Sequence, residues 1–216
     1  MISSNLKKRI FTSICLLGLT ILIIKFNFVL LYSLIVLGIL SILEFLNITK
    51  KIPLSKIYTF LINLIFIFYI FAFCFMFLFF SNIIGLKIIL FILLIGCIAS
   101  DIGGFIFGKL FKGPKLTKIS PNKTFSGAIG SVILSLFFIS WLFYFLLNSF
   151  NYKILIIALV TSIFCQFGDL FFSLLKRKAK LNDTGNFLPG HGGILDRLDG
   201  ILLGIPFGFI TLIFLN

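Results

Sequence analysis

Charged residues are scarce in this chain. They make up 12% of its 216 residues, and only six of them are acidic. Soluble domains carry about 25% charged residues, so an ordinary water-soluble core is excluded. Histidine occurs once, and each of the four cysteines stands alone in an apolar run: Cys15, Cys74, Cys97 and Cys165. These spacings argue against a zinc site built from histidine and cysteine and against a disulfide framework.

Apolar residues dominate what remains, at 60% of the sequence. A helix of about 20 apolar residues crosses the hydrocarbon layer of a bilayer, and several continuous runs approach or exceed that length. A membrane β-barrel would instead need short alternating segments. The sequence therefore predicts an all-α fold, a polytopic integral membrane bundle of about seven transmembrane helices in a single domain, residues 1–216. The predicted spans are 10–24, 28–46, 57–80, 83–108, 125–148, 154–175 and 199–215.

Two of these spans have alternatives. The first resembles a signal peptide, but Lys25-Phe-Asn follows it where small residues would mark a cleavage site, so we expect an uncleaved span. The third is long, and its Phe-rich part, 66–80, could instead form a re-entrant segment. Along the last span, three glycines recur at four-residue spacing: Gly200, Gly204 and Gly208. Such spacing lets a neighbouring helix approach closely. We favour packing inside one protomer over a dimer interface, although a homodimer is also possible.

Basic residues outnumber acidic ones by nineteen to six. They form short clusters between predicted spans rather than a soluble basic domain, which argues against nucleic-acid binding. If the N-terminus is cytoplasmic, only Lys25, Lys87 and Lys153 lie outside, and the other sixteen lie on the cytoplasmic side. This asymmetry follows the positive-inside rule. It predicts a multi-pass protein of the inner or plasma membrane whose polar loops, 109–124 and 176–198, face the cytoplasm.

One polar stretch, residues 173–200, concentrates the chemistry of the chain. It holds the only histidine, three of the six acidic residues and five of the nineteen basic ones. Four residues at i, i+4, i+7 and i+8 share one helical stripe that ends at this stretch: Asp169, Ser173, Lys176 and Arg177. Asp196 and Asp199 are three residues apart and share a face if the last helix begins near 195. The pattern predicts a slot for a metal ion and phosphate groups.

A carboxylate placed near the hydrocarbon of a membrane costs free energy, so it normally faces a charged partner, a water-filled cavity or a bound ion. For Asp169, Asp196 and Asp199 the sequence favours Mg²⁺, which one or two carboxylates commonly hold together with substrate phosphates. The alternative is that each acid neutralises a nearby lysine or arginine. For Glu44, which lies outside the polar stretch, we prefer that alternative.

Two loops offer groups that bind phosphate. Pro189-Gly-His-Gly-Gly193 cannot form a regular helix, and its glycines let backbone N–H groups approach an anion closely. The loop before the fifth span combines Ser120, Lys123 and Thr124 with the free amides of a helix start, which also favours phosphate. Taken alone, each loop could be an ordinary turn on the protein surface.

Three sequence blocks occur in order. They are Ser100-Asp-Ile-Gly-Gly-Phe-Ile-Phe-Gly-Lys109, Ile119-Ser-Pro-Asn-Lys-Thr124, and a segment running from Gln166-Phe-Gly-Asp-Leu170 to Pro189-Gly-His-Gly-Gly-Ile-Leu-Asp-Arg-Leu-Asp199. Together these blocks resemble the phosphatidate cytidylyltransferase (CDP-diacylglycerol synthase) family of integral membrane enzymes. The chain departs from the family pattern at Asn182, where lysine is expected, and at Ser126, where glutamate is frequent.

The resemblance implies the reaction CTP + phosphatidate → CDP-diacylglycerol + pyrophosphate, with Mg²⁺ as cofactor. It makes 96–204 the catalytic part and 1–95 a set of N-terminal spans. The implied metal ligands are Asp169, Asp196 and Asp199, and the implied catalytic set adds Lys176, Arg177 and Arg197. The implied substrate-binding residues are Ser100, Asp101, Ser120, Lys123, Thr124, Ser173, Asp183, Gly190, His191, Gly192 and Gly193.

Two other functions fit parts of the pattern. A CTP-dependent polyprenol kinase uses a related polytopic site but transfers the γ-phosphoryl group, so no cytidine enters its product. An ion or solute transporter would place Asp101 and Asp169 on its path. The transporter gives no reason for a glycine-rich turn directly before Asp196 and Asp199.

Overall fold

The computed structural model of the chain describes residues 15, 18–117, 120, 123–185, 187 and 192–215. Over these residues the regular structure is helical, with isolated bridge residues at Lys115, Thr124 and Gly192, and the predicted all-α fold is confirmed. The helices are α1 (18–25), α2 (Asn27–Lys50), α3 (Lys56–Ser81), α4 (Ile84–Phe111), α5 (Phe125–Leu147), α6 (Tyr152–Lys178) and α7 (Leu195–Leu215).

Each helix from α2 to α7 is long and apolar enough to cross a membrane, so the chain is a multi-pass membrane protein. These six helices match the last six predicted spans. Helix α3 is continuous from Lys56 to Ser81, so the alternative of a re-entrant segment at 66–80 is wrong. Seven residues of the first predicted span, 10–24, lie outside the described residues, and its residues 15 and 18–24 are helical.

The outward faces of the helices are apolar. Phe68 and Phe71 on α3 are 66% and 70% exposed, and Phe105 on α4 is 70% exposed. Side chains of this size would be costly in water in such numbers, whereas lipid tails solvate them. Their exposure is what a helix surrounded by lipid requires.

Polar residues set several helix ends. The side chain of Ser55 accepts a hydrogen bond from the N–H of Tyr58 at the start of α3, and Thr124 accepts one from Gly127 at the start of α5. These are ordinary N-cap contacts, which satisfy amide groups that the first helical turn leaves unpaired. At the C-terminal end of α4, Lys112 adopts a left-handed conformation with φ 41°, and the helix ends there.

The chain divides into two compact units. The first unit comprises Met1–Asn82 and Leu175–Arg197, and the second comprises Ile83–Leu174 and Leu198–Asn216. The predicted catalytic part, 96–204, therefore takes residues from both units. Helices α6 and α7 each contribute to both, because the divisions fall within them.

In the first unit, α2 packs against α3. The rings of Phe45 and Phe66 stack with their centroids 3.7 Å apart. A Cβ atom on Gly38 would lie 3.4 Å from Cys74 Sγ and from Ile70, which is ordinary contact distance. The Cys74 thiol donates a hydrogen bond to the carbonyl oxygen of Leu34, so this cysteine belongs to the helix packing.

In the second unit, glycines bring helices into backbone contact. A Cβ on Gly103 of α4 would lie 2.4 Å from the carbonyl oxygen of Gly130 on α5, so neither helix could keep its position with a larger residue there. On α7, a Cβ on Gly204 would meet Cys97 Sγ at 2.6 Å, and one on Gly208 would meet Thr161 Oγ1 at 2.2 Å. The preference for packing within the protomer is confirmed for these two glycines.

Candidate active site

Asp169 lies on α6, in the second unit, and forms an ion pair with Lys123. The Lys123 Nζ atom donates a hydrogen bond of 3.0 Å to Asp169 Oδ2, and the two side chains are 32% and 19% exposed. Lys123 belongs to the second sequence block and Asp169 to the third. The structure thus brings together two predicted site residues that are 46 positions apart.

The loop before α5 holds Lys123 in place through its own backbone. The N–H of Leu116 donates to the carbonyl of Lys123 at 2.8 Å, and the N–H of Phe125 donates to the carbonyl of Pro114 at 3.0 Å. The N–H of Lys123 donates to the carbonyl of Ser120, so a second predicted substrate-binding residue lies in the same turn. These bonds fold the loop back on itself and fix where the lysine side chain starts.

The start of α5 is anchored by hydroxyl groups. Thr124 Oγ1 accepts the N–H of Gly127 at 3.1 Å and lies 3.0 Å from Ser126 Oγ. Ser126 Oγ in turn accepts the N–H of Gly113 at 3.2 Å. The serine that departs from the family pattern therefore joins the loop to the helix start. Gln166 on α6 donates to the carbonyl of Ala128 at 3.2 Å and ties the same helix start to the segment that carries Asp169.

Asp169 also faces the first part of α7 that belongs to the second unit. A Cβ added to Gly200 would come within 3.0 Å of Asp169 Oδ1, and one added to Gly168 would meet the carbonyl oxygen of Asp199 at 2.2 Å. The segments that carry Asp169 and Asp199 are therefore in direct contact, and glycines on both sides make the contact possible. Two of the three predicted metal ligands lie on touching segments.

The first sequence block lies on α4 beside α6. Ser100 is 1% exposed, and its hydroxyl shares a hydrogen bond of 3.0 Å with the buried hydroxyl of Ser162. Asp101 accepts a weak hydrogen bond from the thiol of Cys165, with Sγ and Oδ1 3.8 Å apart. Ser173, one turn beyond Asp169 on α6, is half-buried. The block thus contacts α6, the helix that carries Asp169, through the buried Ser100 and the exposed Asp101.

In the first unit, Asp196 is the centre of a second cluster. The Lys176 Nζ atom donates to Asp196 Oδ1 at 2.6 Å, and the two side chains are 15% and 11% exposed. Asp196 Oδ2 accepts the N–H groups of Thr184 and Gly193 at 2.8 and 3.1 Å, and it lies 3.1 Å from the Thr184 hydroxyl. A carboxylate in the first turn of a helix is also favoured by the helix dipole.

The glycines before α7 have different requirements. Gly192 has φ +83°, a left-handed conformation that glycine adopts without strain. Gly193 has no room for a side chain, because a Cβ would lie 1.9 Å from Thr184 Oγ1 and 2.6 Å from Glu44 Oε2. The other two residues predicted in this turn, Gly190 and His191, lie outside the described residues.

The remaining predicted residues of the first unit are exposed: Arg177, Asp183 and Arg197. Arg177 donates a long hydrogen bond of 3.4 Å to Asn182 Oδ1, so the residue that departs from the family pattern contacts a predicted catalytic arginine. Both residues lie at the end of α6, where the chain turns towards Thr184. This edge of the unit presents its charged side chains to solvent.

Glu44 and Thr184 are the residues that the sequence analysis missed. Glu44 is 1% exposed, and its carboxylate accepts hydrogen bonds from the Thr184 hydroxyl and from the N–H groups of Ile194 and Leu195. The preference for a simple ion pair at Glu44 is wrong, because these described contacts are with amides and a hydroxyl. The one available signal was a carboxylate inside an apolar span.

The acids of the two clusters suit Mg²⁺ chemically, since carboxylate oxygens are its preferred protein ligands. Among the described residues, no group of three or more His, Cys, Asp or Glu side chains is arranged to hold a metal ion. Asp169 and Asp196 each form the lysine pair that the alternative interpretation expects. Asp196 uses both oxygens for protein donors, whereas Asp169 engages Lys123 through Oδ2 and turns Oδ1 towards Gly200. The segments of Asp169 and Asp199 touch through Gly168 and the backbone carbonyl of Asp199, and the Asp199 carboxylate accepts the N–H of Gly200 at 3.0 Å.

Comparisons with known proteins agree on one family. The profile of the cytidylyltransferase family matches residues 4–215. The phosphatidate cytidylyltransferase of Helicobacter pylori (strain ATCC 700392 / 26695) is 42% identical over 112 residues, which cover 52% of this chain and 42% of that protein. The protein of the same name from Staphylococcus haemolyticus (strain JCSC1435) is 44% identical over 131 residues, 60% of this chain and 50% of the relative. The chain thus spans about half the length of the curated relatives it matches.

Proposed function

Because the chain belongs to the cytidylyltransferase family, we propose that it transfers the cytidylyl group of CTP to phosphatidate and releases pyrophosphate. The product is CDP-diacylglycerol, a precursor for phospholipid synthesis. The names of the relatives support this substrate pair over the polyprenol kinase and the transporter. The observation that carries the proposal is the pair formed by Lys123 and Asp169, since it joins two of the sequence blocks at a carboxylate inside a membrane span.

The proposed reaction is an in-line displacement. A phosphate oxygen of phosphatidate attacks the α-phosphorus of CTP, the new P–O bond forms, and the bond to the β-phosphate oxygen breaks, so that pyrophosphate leaves with the electron pair. The attacking oxygen is already anionic, so the protein needs no strong general base. Catalysis then depends on positioning and on charge stabilisation.

Two lysines are suited to hold phosphates. Lys123 and Lys176 each neutralise an aspartate, and Lys123 keeps 32% of its side chain exposed. The ammonium group of a lysine stands on a flexible four-carbon chain, which lets it reach a phosphate near its aspartate. We assign Arg177 and Arg197, which are both exposed, to phosphate binding as well.

The acids take the complementary role. We propose that Asp169 and Asp199, whose segments are in contact, hold Mg²⁺. Asp196, the third acid that the sequence predicts as a ligand, stays a prediction. The ion, when bound, neutralises the charge that develops on the transferred and leaving phosphates. Lys123 must then either release Asp169 Oδ2 or leave Oδ1 to the ion. Only in the first case are binding of the ion and release of this pair coupled.

The proposed location is the inner or plasma membrane, with the site on the cytoplasmic face, where CTP is present. The positive-inside asymmetry of the basic residues supports this orientation. Phosphatidate would reach the site from the bilayer.

A double-label experiment tests the proposal. The purified protein is incubated with mixed micelles of phosphatidate and a polyprenol, Mg²⁺ and CTP labelled either in the cytosine ring or at the γ-phosphate. We expect the cytosine label in the lipid phase and the γ-label in pyrophosphate. A γ-label in the lipid phase with free CDP would identify a kinase, and neither label in lipid would refute lipid modification altogether.

A further inference from the structure

Glu44 is a buried acid that no motif accounts for. It lies on α2, 1% exposed, within the first unit. Its Oε1 atom accepts the N–H of Ile194 at 2.9 Å, and its Oε2 atom accepts the N–H of Leu195 at 2.9 Å and the hydroxyl of Thr184 at 2.7 Å. A carboxylate removed from water needs such donors, since an unpaired one would be prohibitively costly.

These donors belong to the start of α7. The first amides of a helix have no partner within the helix, and a side chain just before the helix usually satisfies one of them. Here the acceptor comes instead from a residue 150 positions earlier. The negative charge also lies at the positive end of the α7 dipole, where it is favoured. Glu44 therefore caps α7 from another helix.

The surrounding chain is shaped to admit this carboxylate. A Cβ on Gly185 would lie 2.6 Å from Glu44 Oε1, and one on Gly193 would lie 2.6 Å from Oε2. Because both residues are glycine, the backbone just after Thr184 and the backbone just before α7 can both approach the Glu44 carboxylate closely. A carboxylate that needed only a neighbouring cation would not require glycine at these two positions.

Thr184 links Glu44 to Asp196. Its hydroxyl is 2.7 Å from Glu44 Oε2 and 3.1 Å from Asp196 Oδ2, and its N–H donates to the same Asp196 oxygen. Thr184 itself is 6% exposed. Glu44 therefore acts on Asp196 in two ways. It accepts the N–H of Leu195, which fixes the helix turn that carries Asp196, and it contacts Thr184, which fixes the Asp196 carboxylate.

We propose that Glu44 is a positioning residue for the proposed cytidylyl transfer: it fixes the first turn of α7 and, with Thr184, the carboxylate of Asp196. The role rests on the proposed function, because only then does the placement of Asp196 affect turnover. Glu44 touches no substrate in this proposal. It acts through the helix start and the threonine.

The decisive variant is Glu44→Gln, which keeps the size of the side chain but replaces one acceptor oxygen with an amide that donates. We expect kcat to fall by about 30- to 100-fold, since small misplacements in an active site cost up to about 10²-fold. The KM for phosphatidate should stay within about threefold, because Glu44 supplies no binding energy to the lipid. Hydrogen exchange at the amides of Ile194 and Leu195 should accelerate at least about tenfold.

Two matched controls on α2 separate positioning from stability. Ser41 is fully buried one turn before Glu44, and its hydroxyl has no hydrogen-bond partner among the described residues. Thr49 is 1% exposed and donates to Asn63 at 2.8 Å. Ser41→Ala and Thr49→Val should keep kcat within about threefold, and Thr49→Val should lower the unfolding temperature through its lost hydrogen bond.

Thr184 gives a second test if Glu44→Gln does not fold. Thr184→Val should reduce kcat and accelerate exchange at the start of α7, and Thr184→Ser, which restores the hydroxyl, should recover most of both. Two results would show that the positioning role is wrong. One is a loss of activity in Glu44→Gln no larger than its lower unfolding temperature explains, as expected for Thr49→Val. The other is unchanged hydrogen exchange at the amides of Ile194 and Leu195. If the wild-type protein transfers no cytidylyl group, the proposed function is wrong, and the exchange data alone then decide whether Glu44 holds α7.

Discussion

Lys123 Nζ and Asp169 Oδ2 are 3.0 Å apart, which joins the loop before α5 to the middle of α6. Lys123 already neutralises the Asp169 carboxylate, so a metal ion at Asp169 would either compete with the ammonium group at Oδ2 or bind through Oδ1. Asp169 is 19% exposed and lies inside a membrane span, so loss of its partner also affects stability. The effects of substitutions on function must therefore be measured on monodisperse, folded protein.

Replacement of Asp169 with asparagine should abolish most activity. Asparagine keeps the size of the side chain and one acceptor for Lys123 but removes the charge that would hold Mg²⁺. We expect turnover to fall by at least ~10³-fold, which corresponds to about 4 kcal/mol of transition-state stabilisation. The measurement is cytidylyl transfer per mole of monodisperse protein at saturating CTP and Mg²⁺.

The control for this variant is Lys153→Gln. Lys153 donates to the carbonyl of Leu215 at the end of α7 and lies outside the three sequence blocks. Its loss should cost less than about tenfold in turnover, the range of a peripheral contact. Near-normal turnover in Asp169→Asn would mean that the pair with Lys123 is a structural ion pair.

Replacement of Lys123 with glutamine should act mainly on CTP binding. If its ammonium group moves to a phosphate in the substrate complex, the interaction exists before and during the reaction, so KM for CTP should rise about tenfold while kcat changes less. Lys115→Gln is the matched control, because Lys115 is exposed in the same loop. A larger effect of Lys115→Gln than of Lys123→Gln would remove Lys123 from the site.

The sequence predicted the spans well, because lipid selects long apolar runs and little else. It also picked out Lys123 and Asp169, but not that they meet, since a pair separated by 46 positions depends on how the loop before α5 folds. Composition could not show that α3 continues through 66–80, because a re-entrant segment and a span are equally apolar. Only the structure shows that the backbone is helical without interruption from Lys56 to Ser81.

The partners of Glu44 cannot be predicted from the sequence, for a physical reason. A buried acid tells us that some donor must meet it, but the sequence does not say whether that donor is a lysine or a helix start. The partners Ile194 and Leu195 contribute backbone N–H groups, which every non-proline residue possesses. No residue pattern at 194–195 could therefore have indicated the contact.

Removal of divalent cations should stop the reaction. The described clusters pair acids with lysines, and neither lysine can coordinate two phosphates and a carboxylate at once as an Mg²⁺ ion does. Excess chelator should abolish cytidylyl transfer, and added Mg²⁺ should restore it. Ca²⁺ should substitute poorly, because its longer bonds misplace the phosphates. Full turnover in excess chelator would exclude a metal from the mechanism.

Labelling of single cysteines tests the topology. Gly113→Cys and Phe187→Cys place thiols in the two polar loops, and Phe187 is 52% exposed. On a background in which the four native cysteines are replaced, both should react with impermeant thiol reagents only from the cytoplasmic side, as the positive-inside rule requires. Reaction of either position in intact cells from the outside would contradict the proposed orientation.

Replacement of Gly193 with alanine should disrupt the turn before α7. The added Cβ would lie 1.9 Å from Thr184 Oγ1, so either Thr184 or the turn must move, and forced overpacking of this kind costs about 1–3 kcal/mol. We expect a lower unfolding temperature in detergent and a loss of turnover of at least about tenfold, because the shift breaks the contacts that Thr184 makes with Asp196. Gly85→Ala is the matched control: it lies near the start of α4 with nothing within 4 Å of an added Cβ. Since alanine favours a helix over glycine by up to about 1 kcal/mol, Gly85→Ala should be at least as stable as the wild type and equally active. Equal behaviour of the two variants would show that the turn before α7 is not packed as tightly as its contacts indicate.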